Sequence, residues 1–222
     1  FGSSHVWIHA NPLFKKLEPE LAEYGLKYIY SDDHITGHPN QEGTGIIVYK
    51  DIDRTCDSIA EYSKKDARQY REIFDEFAEI KDGFVKGMFS PPSPPSYLPS
   101  VMENSPEGLK MLRNYNLSAK AFVMENFENP QVQAFLISWA LGPNIKPTQQ
   151  GAGSVFYIMI PAIHIYGQAI PKGGSIELAK ALMRYIEAHG GKVLTGAPVS
   201  NIIVRNGEAE AIRLEDGTEI EA

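Results

Sequence analysis

A single cysteine, Cys56, excludes a disulfide framework and a cysteine-based zinc site, and it suits a reducing compartment. Basic residues are the minority, 21 Lys and Arg against 28 Asp and Glu, which gives a net charge of −7. Such a surface repels phosphate backbones, so no nucleic-acid partner is expected. No apolar run reaches the roughly 20 residues that a membrane-spanning helix needs. The sequence has no charged-then-apolar leader of the usual form. It also has no Gly-x-x-x-x-Gly-Lys-Ser/Thr loop, no His-Glu-x-x-His pair and no Gly-x-Ser-x-Gly elbow, so no catalytic residue is assigned. What is present, 43% hydrophobic and 22% charged residues, is ordinary for a folded domain. The expectation is a globular intracellular protein, cytoplasmic or membrane-peripheral.

The sequence opens on Phe1-Gly2-Ser3-Ser4-His5-Val6-Trp7-Ile8-His9, which reads as extended, and closes on Glu219-Ile220-Glu221-Ala222, which reads as a return strand. Both ends suggest a piece of a longer protein. A complete small protein with trimmed ends would leave strand edges unpaired at both. Between them, Leu26–Tyr30 and Gly45–Tyr49 are β-rich, with turn residues from Asp32 to Gly43 separating them. Asp53 is a candidate cap for a helix through Tyr62, and Ser63 or Asp66 for a longer one carrying Tyr70, Ile73, Phe74, Phe77 and Ile80. The proline-rich stretch from Ser90 to Ser96 suits a surface loop. Residues 107–166 read as mostly helical, and the run from Ser154 to Tyr166 is apolar on nearly every face. A helix from Ile176 stops at His189-Gly190-Gly191. Strands over 192–194, 199–205 and 208–214 follow, with Asn206-Gly207 and Asp216-Gly217 as type I′ hairpin signals.

Few of these residues carry chemistry on spacing alone. Gly151-Ala152-Gly153-Ser154-Val155-Phe156 begins like a dinucleotide fingerprint, but Phe156 stands where a third glycine belongs and no strand precedes it. It reads as a loop and helix entry. His34 and His38 lie in a turn-rich region and make a poor metal pair, so no metal is expected. His164, inside the apolar run, reads as a hydrogen-bonded core histidine ahead of a catalytic one. Gly173-Gly174-Ser175 precedes a helix, where bare backbone can approach a ligand or Ser175 can simply cap.

The order of several motifs is more specific. Ile170-Pro171-Lys172-Gly173-Gly174-Ser175 is followed by a helix ending His189-Gly190-Gly191, then Ala197-Pro198-Val199 with Ile202. Arg205-Asn206-Gly207-Glu208-Ala209 and Leu214-Glu215-Asp216-Gly217-Thr218 come next. Upstream stand Gly2-Ser3-Ser4-His5, Tyr24-Gly25-Leu26, Asp51-Ile52-Asp53-Arg54-Thr55 and Ser63-Lys64-Lys65-Asp66-Ala67-Arg68-Gln69-Tyr70. This succession resembles the phytoene desaturase-like flavoproteins of the amine oxidase superfamily, over nearly the whole chain.

The resemblance implies an α+β fold: a substrate domain of mixed sheet and helices over 1–172, with a 1–9 strand near the flavin. Residues 173–222 would supply a helix, a parallel strand and a β-meander to an incomplete FAD-binding domain. The family's N-terminal Gly-x-Gly-x-x-Gly and its C-terminal flavin motif are not in this sequence. FAD is therefore the cofactor expected in the complete protein. The partners expected are the remaining FAD-domain portions or a complementary chain, with peripheral membrane contact. By the same resemblance, Val199 matches the position that pairs with the adenine end of FAD. Gly173 and Gly174 match a segment near the isoalloxazine, and Gly2, Ser4 and His5 lie beside the same ring. Phe135, Trp139, Phe156, Tyr157, His164 and Tyr166 are candidates for the cavity of an apolar, isoprenoid-like or other hydrophobic small-molecule substrate, against plain core packing. The implied reaction is desaturation or oxidation by hydride transfer to flavin. The competing reading is a cofactor-free binding or assembly subunit derived from such a flavoprotein.

Overall fold

The computed structural model describes residues 5–31, 33–94, 96–141 and 145–221. It opens with a helical turn, α1 (Trp7–Ala10), and a helix, α2 (Pro12–Glu23), capped by the Asn11 side chain, which accepts from the Leu13 and Phe14 N–H groups. Strands β1 (Tyr28–Tyr30), β2 (His34–Pro39) and β3 (Gly45–Tyr49) follow, then helices α3 (Ile52–Ala60) and α4 (Lys64–Met88). The helical half continues with α5 (Tyr97–Met102), α6 (Pro106–Asn116), α7 (Ala119–Asn126), α8 (Pro130–Trp139) and α9 (Ser154–Tyr166). The chain ends with β4 (Ala169–Pro171), α10 (Ile176–Ala188) and the meander β5 (Val199–Arg205), β6 (Glu208–Leu214) and β7 (Glu219–Glu221).

The caps explain where the helices begin. Ser63, Ser105 and Ser118 each accept a backbone N–H three residues on, and Asn129 does so ahead of Pro130, which needs no donor at the first helical position. In α4, Ala67, Tyr70, Ile73 and Phe77 recur at three- and four-residue spacing and are buried. Ala67, Tyr70 and Ile73 join Ile59 of α3, Phe122 of α7, Phe135 of α8 and Phe156 and Ile163 of α9 in the main core, which Val48 of β3 closes. A second, smaller core joins Phe14, Leu21 and Leu26 to Ala181 of α10 and so links residues on either side of 172.

The α+β character holds, but the sheets differ from the sequence reading. Among the described residues they are three small antiparallel sheets, β1 with β4, β2 with β3, and β5-β6-β7, and none is mixed. Lys192–Leu194 forms no strand, because the described residues offer it no parallel partner. The opening segment is not a strand through residue 9. Val6, His9 and Ala10 are buried at helical spacing, and among the described residues of this segment His5 alone pairs, by one bridge to Ala169. Residues 34–39, expected as turn, form β2, since pairing with the buried, apolar β3 outweighs the turn preference of Gly37 and Pro39. Asp51, rather than Asp53, caps α3.

The two hairpins of the meander also differ from each other. Asn206 and Gly207 both have positive φ, 53° and 86°, as a type I′ turn requires. At the second, Gly217 has a φ of 86° while Asp216 does not share it, so this is a turn closed by a left-handed glycine and not type I′. Gly207→Val is expected to lower stability by about 1–3 kcal/mol through backbone strain. An unfolding midpoint equal to that of the parent would contradict the strain.

Candidate functional site

Three of the sequence-derived positions meet at one corner. Strand β4 lies between β1 and His5: Tyr30 pairs with Ala169 on one side, and on the other the His5 N–H donates to the Ala169 carbonyl at 2.8 Å. Beyond Pro171 the chain reverses through Gly173 and Gly174, whose φ values of 97° and 96° exclude most side-chain-bearing residues. The reversal brings Ser175, at the start of α10, to His5, with Oγ 3.4 Å from Nε2. The other ring nitrogen, Nδ1, bonds the Tyr28 hydroxyl at 2.9 Å. A serine hydroxyl and a phenol thus hold one imidazole from opposite ends.

Behind this corner lies a group that no spacing rule indicated. His9 sits edge-on between Tyr28 and Phe14, with its ring centre 4.6 Å from that of Tyr28. Its Nδ1 is 3.3 Å from the Tyr30 hydroxyl, which donates to Glu18 at 3.0 Å. Burial lowers the His9 pKa, against a raising effect from Glu18, so the 3.8 Å approach of Glu18 is no ion pair at neutral pH. Its Nε2 is buried without a hydrogen-bond partner among the described residues. Burial, reinforced by Glu18, pushes both the Tyr28 and Tyr30 phenols up to about 12, so both remain protonated donors.

The other candidates lie elsewhere. Gly2 and Ser4 fall outside the described residues. Val199 is half-exposed on β5 opposite Leu214. Phe135 and Trp139 border a cleft of about 240 Å³ against Thr36, Gly37 and His38 of β2. Phe156 stacks on Phe122 at 5.0 Å, and Tyr157 accepts from the Asn114 amide at 2.6 Å, both within the main core. His164 is buried, its Nε2 2.9 Å from the Tyr70 hydroxyl. Tyr166 borders a different cleft, of about 800 Å³, at the end of α4. Neither cleft beside these aromatics includes Gly173 or Gly174. Among the described residues no cluster of three metal-ligating side chains occurs. No helix there is long and apolar enough to cross a membrane.

No family model matches the chain. It is similar to one subunit of the limonene dehydrogenase of Castellaniella defragrans, 23% identical over 176 residues that make up 78% of this chain and 32% of that protein. It is also similar to the hydroxyneurosporene desaturase of Rubrivivax gelatinosus, 24% identical over 178 residues, 79% of this chain and 33% of that protein. The chain therefore spans about a third of the length of the curated relatives it matches. These distant relatives are consistent with the desaturase-like flavoprotein family that the motifs resemble.

Proposed function

We propose that this chain is part of a FAD-dependent desaturase or dehydrogenase acting on a hydrophobic substrate, with the His5–Ser175 corner on the ring side of the flavin. The observation that carries this reading is the meeting, at one hydrogen bond, of two segments 170 residues apart. The resemblance assigns each of them, independently, to the same ring. The names of the two relatives support the reaction type, and limonene is itself an apolar hydrocarbon.

The residues present fit the ring end of such a cofactor. Among the described residues, a Cβ on Gly174 would meet no atom within 4 Å, so the backbone there is open to a planar group. They do not fit a pyrophosphate at Gly151–Gly153: a Cβ on Gly153 would run into the Asn114 carbonyl, so that glycine serves the packing of α9 against the end of α6. The pyrophosphate would be held by the rest of a longer protein or by a complementary chain. Ile202 and Val204, 61% and 58% exposed on the meander, offer it an apolar surface. When bound, the flavin would supply the hydride acceptor. Within this chain, Gly174 leaves room, Ser175 and His5 offer hydrogen-bonding groups, and Tyr28 orients His5.

Two measurements test the reading. These 222 residues, purified alone, should be colourless, and stoichiometric flavin absorbance would overturn that expectation. In the complete protein, Gly174→Leu should depress flavin occupancy far more than Gly174→Ala. Both variants share the strain of a φ of 96°, and they differ in how far the side chain projects. If Gly174→Leu keeps both flavin and turnover, the glycines are merely a turn.

A further inference from the structure

The cleft of about 800 Å³ lies away from the His5–Ser175 corner, between the start of α2, the last turns of α4 and the end of α9. Its floor is apolar, built from Leu13, Val85, Phe89 and Tyr166. Leu13 is 73% exposed and Phe89 40%, so this surface faces water. Around it stand three lysines, Lys15, Lys81 and Lys86, against one carboxylate, Asp82. That local excess of positive charge occurs in a chain whose net charge is −7. Asp82 lies 3.7 Å from Lys81. Lys15 instead sits 5.8 Å from the centre of the Tyr166 ring, and among the described residues neither it nor Lys86 forms an ion pair. The lysine stems extend the apolar floor while their heads remain at the rim.

We propose that this cleft binds a single-chain amphiphile with an anionic head, a fatty acid being the simplest member. A neutral hydrocarbon would cover the floor but gain nothing from the lysines. Inorganic phosphate would satisfy the lysines and leave Leu13 and Phe89 in water. An apolar chain ending in a carboxylate uses both features, and the volume is within the range of small-molecule sites. The site requires no flavin and is independent of the reading above.

The test compares dodecanoate, dodecanol and inorganic phosphate by calorimetry on the full chain, below micellar concentrations. Dodecanoate should bind at least about tenfold more tightly than dodecanol, and phosphate should give no heat of binding. The double variant Lys15→Glu, Lys86→Glu should weaken dodecanoate by about tenfold or more and leave dodecanol within about threefold. Leu13→Asp should weaken both chains, and circular dichroism should show each variant folded. Trp7 gives a second readout, since its ring lies 6.2 Å from Tyr166: with Trp139→Phe, the remaining tryptophan emission should shift on dodecanoate addition. Equal affinity for dodecanol and dodecanoate, or charge-reversal variants that bind like the parent, would overturn the proposal. So would binding to anionic phosphatidylglycerol vesicles without binding of the monomeric acid, which would mark a lipid surface instead.

Discussion

Asp66→Ala is expected to remove about 3–5 kcal/mol of stability, through the loss of two hydrogen bonds to one carboxylate. Asp66 is fully buried in the first turn of α4, where a carboxylate also complements the helix dipole. Its two oxygens accept the backbone N–H groups of Glu128 and Asn129, each at 2.9 Å. Asn129 in turn caps α8 through Gln131 and Val132 and donates to the Tyr62 carbonyl. One carboxylate thus joins the starts of two helices of the main core. Alanine would leave the Glu128 and Asn129 N–H groups, both part-buried, without the acceptor they now share. Asp66→Asn, with a single amide acceptor, should lose roughly half as much. The neighbouring Lys65–Glu128 pair is more than half exposed at both ends, so Lys65→Ala should change stability by less than about 0.5 kcal/mol. Denaturant unfolding at neutral pH distinguishes these variants. An Asp66→Ala midpoint close to that of Lys65→Ala would mean that the two N–H groups find other partners.

The elements that sequence reading recovered are those whose signals are local. Ser63 marks a helix start through its own side chain, and His189-Gly190-Gly191 marks a stop. Strand β2 escaped because Gly37, Pro39 and Asn40 carry turn chemistry, while the reason for the strand lies in β3. The strand expected at 192–194 failed for the converse reason: its residues have β character, but a parallel strand needs a distant partner. The candidate site divides along the same line. His5 and Gly173-Gly174 were legible singly, whereas their meeting depends on the Ala169 bridge. His9, Tyr28, Tyr30 and Glu18 left no motif, since two come from a strand and two from helix faces. An apolar run such as Ser154–Tyr166 has the same composition whether it lines a cavity or fills a core. In the structure Phe156 stacks on Phe122 in the main core, while Ile165 and Tyr166 at the end of the run border the cleft of about 800 Å³.

Stability should fall as the pH drops from 7.5 to 5, and His164 should account for about 2 kcal/mol of that fall. Burial lowers the His164 pKa from its ordinary 6.5 to about 4, against a raising effect from the backbone of Lys50 and Tyr49, which makes no hydrogen bond of standard geometry with Nδ1. The structural cause is that a charged imidazole must donate from both nitrogens. Here Nε2 faces the Tyr70 hydroxyl, which burial keeps protonated, and Nδ1 is buried without a hydrogen-bond partner among the described residues. Between pH 6.5 and 4 the unfolded chain therefore binds a proton that the folded chain refuses. The contribution is complete above 6.5, shrinks as the pH falls through the window, and is gone below 4. His9 shifts in the same direction, so His164→Gln should reduce the pH dependence and not abolish it. Tyr70→Phe removes the hydroxyl but retains the buried imidazole, so it should lower stability at every pH and keep the slope. If His164→Gln loses as much stability between pH 7.5 and 5 as the parent, the proton is taken up elsewhere and this histidine is not the acid-sensitive group.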